Sequence, residues 1–238
     1  MSWRRVNFKD EKILHAHVNI WGVILAGGEG RRLQSYVHSL YNDMRPKQFA
    51  TLVGDKSMLQ LTLDRVKKII PSERIFIAVT NNHMPYVEDQ LGKQPLERIV
   101  IQPFCRETAP GILLSLLHIF KRDQHARVVL FPSDHFILEE ERFMMYVKHA
   151  ASFVRSHQKY IVLLGMVPQN STSDYGWVVR GKELARYDTK VIYSVNGFYE
   201  KPCPAVAAEL QSKGGLWNTL ILVGNVAMMI DQFRMLTP

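Results

Sequence analysis

Only two cysteines, Cys105 and Cys203, occur in the 238 residues, and they lack metal-ligand spacing. That is too few for a disulfide framework, so both read as reduced, incidental thiols. No apolar run approaches the roughly 18 residues of a membrane span. The start, "MSWRRVNFKDEKIL", carries charges where a signal peptide has its apolar core. The expectation is a cytoplasmic protein with no membrane association. Basic blocks are missing too: Lys and Arg outnumber Asp and Glu by 30 to 22, a net charge of +8, but they are spread along the chain. This disfavours a nucleic-acid-binding module and favours a basic surface that attracts small anions. The chain has no internal repeat, no low-complexity linker, and no Ser/His/Asp or paired-carboxylate constellation.

What is present is an alternation. With 47% apolar residues, the chain can bury one large core or two intimately packed lobes. The runs 18–26, 74–80, 98–103, 126–132 and 160–168 are nearly continuous in apolar residues, as strands covered on both faces require. Helical periods separate them. One starts at Ser57, which can cap while Gln60 reaches back, and carries Leu59, Leu63, Val66 and Ile70 before Pro71. A second follows Thr108 through Leu113, Leu114 and Leu117; a third places Phe143, Val147, Ala150 and Val154 on one stripe. The pattern predicts a Rossmann-like α/β fold, an open, mostly parallel mixed sheet flanked by helices. Beyond residue 168, strands at 175–179, 192–202 and 216–223, with a short helix near "AVAAELQSKG", predict a second lobe built on the same sheet. The predicted organisation is an N-terminal extension (1–17) and a single domain (18–238), with lobes of about 18–168 and 169–238.

In such sheets ligands sit beyond the carboxyl ends of the strands. There the sequence places "GGEGRR", "CRETAP" and "SDH" after the first, third and fourth runs. Glycines after a strand let backbone N–H groups form an anion-binding nest, to which Arg31 and Arg32 can add charge-assisted bonds. The loop is not a P-loop, since no Lys-Ser/Thr pair follows, and Leu33 stands where a dinucleotide fingerprint has its last glycine. On the loop alone, a bare strand-to-helix turn is the alternative. "RPKQF" (45–49) then adds Lys47, either a solvated surface charge or, with the glycine loop, part of a triphosphate site.

Taken together, "LAGGEGRRL…RPKQF" resembles the signature of the sugar-nucleotide pyrophosphorylases, a nucleotidyltransferase family, and the Gln-Phe pair resembles its mannose-1-phosphate guanylyltransferase branch. "CRETAP", "FPSDH", "YGWV", "YEKP" and "LWNT" are similar to further family motifs and follow in the family's order. The resemblance implies that Leu25, Ala26, Gly27, Gly28 and Gly30 hold the nucleotide with Ser133, Arg32 its outgoing phosphates and Lys47 the triphosphate. Arg31 falls at a variable position of that nucleotide motif. Thr108 and Ala109 would line the base pocket and Asp134 would hold Mg²⁺, with Asp231 as the alternative metal ligand. Gly176, Glu200 and Asn218 would meet the sugar and Lys201 its phosphate. Arg32, Lys47, Asp134 and Lys201 form the implied catalytic set.

Each position has a plainer alternative. Asp134 could cap a helix near Phe136, and Glu200–Lys201 could be a surface pair. Trp217 reads as core, His135 as packing, and Glu29 as pointing outward. One departure stands out: after "LWNT" the branch often has glycine, whereas this chain continues "LILVG", which predicts a less open backbone beside the sugar. Family members also run on well past the point that corresponds to Pro238. The implied reaction joins GTP and mannose 1-phosphate to form GDP-mannose. The alternatives are another nucleotide or hexose phosphate, and a catalytically silent nucleotide-sugar-binding regulator. Homo-oligomerisation is left open.

Overall fold

The computed structural model describes residues 19–92, 96–103, 108–187 and 190–236. The N-terminal extension and residues 104–107, which hold Cys105 and most of "CRETAP", lie outside them. Strands β1 (Ile20–Leu25), β2 (Ile75–Thr80), β3 (Ile99–Gln102), β4 (Arg127–Pro132), β5 (Val162–Met166), β6 (Trp177–Tyr187), β7 (Lys190–Tyr199) and β8 (Leu216–Asn225) form one sheet. Its order is β3-β2-β1-β4-β8-β6-β7, with β5 also paired to β8. The first four strands run parallel, whereas β8 is antiparallel to β4, β5 and β6, as β6 is to β7. The later part of the chain therefore extends the same sheet, as expected, but by antiparallel strands.

Seven helices flank the sheet among the described residues: α1 (Gln34–Tyr41), α2 (Met58–Lys67), α3 (Met84–Leu91), α4 (Thr108–Arg122), α5 (Glu140–Ser156), α6 (Pro204–Ser212) and α7 (Val226–Leu236). Alternate residues of each central strand serve opposite faces. Ile20, Ile24, Val129 and Phe131 pack with Leu59, Leu63, Val147 and Val154 from α2 and α5. Trp21, Val23, Val128 and Leu130 pack with Leu116, Ile119, Met229 and Ile230 from α4 and α7. Two-sided burial is why these strands have no polar face. At about 1.5–3 kcal/mol for each large apolar side chain removed from water, the two layers dominate stability.

The Ser57 capping box forms as predicted, with the hydroxyl accepting from the Gln60 backbone and the Gln60 side chain accepting from Ser57 N. α2 ends at Lys67, where Lys68 N and Ile69 N donate only three residues back, to the carbonyls of Arg65 and Val66. The buried face of α4 is Gly111, Ile112, Ser115, Leu116 and Ile119. Of the leucines read from the sequence, Leu113 and Leu114 are partly buried against the same cluster and Leu117 is 45% exposed. On α5, Val147, Ala150 and Val154 are buried. Among the described residues no helix is long and apolar enough to cross a membrane.

Candidate active site

The parallel strands deliver their carboxyl ends to one rim. At the end of β1, Ala26 N donates to the Ala78 carbonyl on β2 (2.8 Å). Ser133, after β4, donates both its N–H (3.2 Å) and its hydroxyl (2.7 Å) to the Leu25 carbonyl. Ser133 is 2% exposed, so its hydroxyl holds two strand ends together. The glycine loop starts from this anchored point.

Gly30 has φ +64°, and a Cβ there would lie 2.9 Å from Lys47 N. Only glycine fits, and the close approach seats the loop on the turn that carries Lys47. A Cβ on Gly27 would lie 3.0 Å from Gln102 Nε2, and one on Gly111 only 2.3 Å from the same atom. Gln102, at the end of β3, thus joins the loop to the first turn of α4, where Thr108 and Ala109 stand. A helix N-terminus and a glycine loop share this wall, and both favour an anion.

Across the loop, Lys47 Nζ pairs with Asp134 Oδ2 at 2.5 Å, each side chain roughly a quarter exposed (29% and 26%). The structure rules out the capping alternative for Asp134: α5 begins at Glu140 with Glu139 in the N-cap position. Asp134 fits a hard cation delivered with phosphates, because Mg²⁺ usually takes one or two carboxylates and completes its shell with phosphate oxygens and water. A resident protein-only metal cage is a poorer fit: among the described residues no group of three or more His, Cys, Asp or Glu could hold a metal. Asp231 instead accepts from Arg234 on the exposed face of α7 (3.2 Å). Burial lowers the pKa of His135, against the pull of Asp134, consistent with a packing role.

The later strands bring the remaining predicted residues together. A Cβ on Gly176 would lie 2.7 Å from Glu200 Oε2 and 3.4 Å from Asn218 Cβ, and Asn218 N donates to the Gly176 carbonyl at 2.7 Å. Lys201 follows with φ +43°. Its ammonium is 3.9 Å from Glu200 Oε1 and both side chains are more than half exposed (57% and 60%), which leaves Lys201 room to reach an incoming anion. Arg32 spans the two groups of residues, donating to the Asp174 carbonyl at 3.4 Å. Arg31 is not drawn in: it is 80% exposed and pairs with Glu29, whose carboxylate points outward as expected. Trp217 is core, 6% exposed and packed with Trp177 and Leu210.

The departure after "LWNT" takes a definite form. Leu220 has φ +57°, and its N–H donates to Asn218 Oδ1 at 3.0 Å. The backbone therefore keeps a left-handed turn that suits glycine, with leucine in it, at a cost of roughly 1–2 kcal/mol. Leu220→Gly is expected to hold or raise the melting temperature by a few degrees, the relief being partly offset by glycine's greater unfolded-state entropy. Scanning calorimetry checks this. A drop of more than a few degrees would mean that the leucine side chain outweighs the strain.

Two residues of the rim lie outside the predicted site set, although Gln48 belongs to the Gln-Phe pair of "RPKQF". Gln48, 3% exposed, donates from its amide to the carbonyls of Ala26 (2.9 Å) and Gly28 (2.6 Å). His83, 6% exposed, brings Nδ1 to 3.3 Å from the Ala26 carbonyl. Burial lowers the His83 pKa, outweighing the Ala26 carbonyl and Glu29, which raise it. The unfolded chain thus binds a proton more readily at this site, so stability is full above about pH 6.5 and falls as pH drops through the depressed native value. His83→Gln is expected to flatten the loss of melting temperature between about pH 6.5 and 5. An unchanged slope would assign the titration elsewhere.

Comparison with known proteins places this arrangement. A family model described as nucleotidyl transferase matches residues 21–232. Mannose-1-phosphate guanylyltransferase 2 of Escherichia coli O157:H7 is 30% identical over 227 residues, covering 92% of this chain and 46% of that protein. Mannose-1-phosphate guanylyltransferase of Salmonella montevideo is 30% identical over 217 residues, covering 89% and 44%. A crystal structure described as mannose-1-phosphate geranyltransferase from Thermus thermophilus is similar with a TM-score of 0.76 at 28% identity, covering 91% of this chain and 60% of that one. The chain spans about half the length of the curated relatives it matches. With the family model matching residues 21–232, from β1 through most of α7, on a mixed sheet whose glycine loop leaves its first strand, the chain belongs to the nucleotidyl transferase family.

Proposed function

We propose that the protein transfers a nucleoside monophosphate from a nucleoside triphosphate to a sugar 1-phosphate and releases pyrophosphate, with GTP and mannose 1-phosphate as the pair and GDP-mannose as the product. The observation that carries this reading is the placement of the Lys47–Asp134 pair against the glycine loop (2.5 Å), with Arg32 bridging to the loop beside Gly176, Glu200 and Asn218. In this reading residues up to about 168 hold the nucleotide, and those beyond hold the sugar.

A phosphate monoester loses its second proton near pH ~6, so the sugar phosphate arrives as an ionised nucleophile and no general base is required. The task is to align two polyanions and stabilise the departing pyrophosphate. The loop orients the α-phosphate, Thr108 and Ala109 on the first turn of α4 line the base pocket, Lys47 and Arg32 neutralise the outgoing phosphates, and Glu200 and Asn218 take sugar hydroxyls while Lys201 holds the sugar's phosphate. Mg²⁺, held by Asp134 and the triphosphate, would supply further charge neutralisation at the reacting phosphates.

The guanine and mannose assignments draw on the named relatives and on the "PKQF" and "RETAP" resemblance. A pyrophosphate-release screen of several nucleoside triphosphates against several hexose 1-phosphates tests them, with GTP and mannose 1-phosphate expected to be best. A clear preference for UTP or dTTP with glucose 1-phosphate would overturn the substrates and leave the reaction class standing.

A further inference from the structure

Gln48 spends its buried amide on the backbone of one loop. It follows Lys47 directly, is 3% exposed, and donates at 2.9 Å to the Ala26 carbonyl and at 2.6 Å to the Gly28 carbonyl. Each peptide unit is planar and trans, so a carbonyl and the next residue's N–H point in opposite directions. Drawing the Ala26 and Gly28 carbonyls toward Gln48 therefore turns the N–H groups of Gly27 and Glu29 the other way. The same two bonds keep two carbonyl dipoles from facing a polyphosphate, which they would repel. His83 approaches the Ala26 carbonyl as well, at 3.3 Å, so that oxygen is held twice.

Gln48 is also tied to Lys47 through the backbone, and Gly30 at the far end of the loop packs against Lys47 N. One short turn, Lys47–Phe49, thus fixes the loop at Ala26, Gly28 and Gly30 and carries the cation beside it. We propose that Gln48 is a positioning residue for the triphosphate: by donating to these two carbonyls it sets the loop's peptide planes to receive phosphate. The inference rests on the nucleotidyl-transfer reading, and what it requires of residue 48 is two donors rather than bulk.

That requirement can be separated from packing. Gln48→Met keeps the size and removes both donors. Gln48→Glu keeps the shape but at high pH presents only lone pairs to two carbonyls. Burial beside acceptors raises the pKa of that carboxyl, so lowering the pH restores an O–H donor. Binding of Mg²⁺·GTP is measured by calorimetry from pH 8.5 to 5.5 for both variants, always as a ratio to wild type so that titration of GTP itself cancels. Mannose 1-phosphate KM and melting temperature are measured alongside.

At pH 8 both variants are expected to bind Mg²⁺·GTP roughly 10-fold or more weakly, with the KM for mannose 1-phosphate within about twofold. Gln48→Glu is expected to recover part of the deficit by pH 5.5, since its single O–H can serve one of the two carbonyls, and Gln48→Met none of it. The recovery is read within one folded sample, so it stands even where one variant melts low. Equal GTP affinity in wild type and both variants, or parallel pH profiles for the two, would overturn the role of Gln48. Wild type failing to bind any nucleoside triphosphate would instead overturn the nucleotidyl-transfer reading beneath it.

Discussion

Asp134→Asn is expected to cut Mg²⁺-dependent turnover by roughly 100-fold or more while shifting the melting temperature by only a few degrees. The kinetic loss follows from removing the carboxylate that the family resemblance assigns to the cation at the transferring phosphates, an effect typically worth several kcal/mol. The small stability effect follows from the structure. Asp134 caps no helix, since Glu139 holds that position for α5. Its pairing with Lys47 is partly exposed on both sides, and such pairs contribute about 0–1 kcal/mol. The same geometry predicts an effect of opposite sign: metal-free GTP must compete with Asp134 for Lys47, so Asp134→Asn is expected to bind metal-free GTP more tightly than wild type and to gain little from added Mg²⁺. Turnover retained with unchanged Mg²⁺ dependence would mean that the cation is held elsewhere, and Asp231→Asn would be the next variant to measure.

The second large effect separates two lysines by substrate. Lys47 rides on the turn against Gly30, whereas Lys201 follows Glu200, which lies against Gly176 and so near Asn218. Lys47→Ala is expected to reduce kcat/KM chiefly through GTP, and Lys201→Ala chiefly through mannose 1-phosphate. The loss of one charge-assisted phosphate contact is worth about 1.5–3 kcal/mol, roughly 10- to 150-fold. Steady-state kinetics with each substrate varied in turn reads the split. Both variants raising the same KM alone would refute the division of the site into nucleotide and sugar parts.

The central strands were legible because burial on both faces leaves no polar position to blur them, and Ser57 with Gln60 announced the start of α2 by its chemistry. α4 was legible as a helix but not by face: Leu113, Leu114 and Leu117 add apolar positions beside Ile112, Leu116 and Ile119, so the stripe that meets the sheet did not stand out. α7 was missed because apolar residues resume directly after β8, with only Gly224 and Asn225 between the two runs. Its one signal, Asn225, whose side chain accepts from Ala227 N (3.0 Å), is buried at 9% exposure. Beyond residue 168 the length of β6 was hidden by charge, since "RGKELAR" lies on an exposed arm where no core demands alternation.

At the site, the family resemblance named residues but not their partners. That Gly176, Glu200 and Asn218 converge was implied by the family resemblance, and their contacts depend on β6 and β8 pairing at Trp177 and Trp217. Gln48 stood out only as half of the Gln-Phe pair and Gln102 not at all, because their work is done on backbone atoms about 20 residues away or on glycines, which carry no pattern of their own. Leu220 shows the converse. The substitution after "LWNT" was visible, but the retention of a left-handed turn beneath it was not.

The central claim is nucleotidyl transfer onto a sugar phosphate, and one labelled turnover tests it most directly. The protein is incubated with Mg²⁺, mannose 1-phosphate and GTP labelled in separate samples at the α- or the γ-phosphorus, and the products are resolved by chromatography. The account predicts α-label in GDP-mannose and γ-label in pyrophosphate, formed one for one and only when the sugar phosphate is present. Label from the α-phosphorus appearing as GMP, or GTP bound but unconsumed under the same conditions, would contradict it.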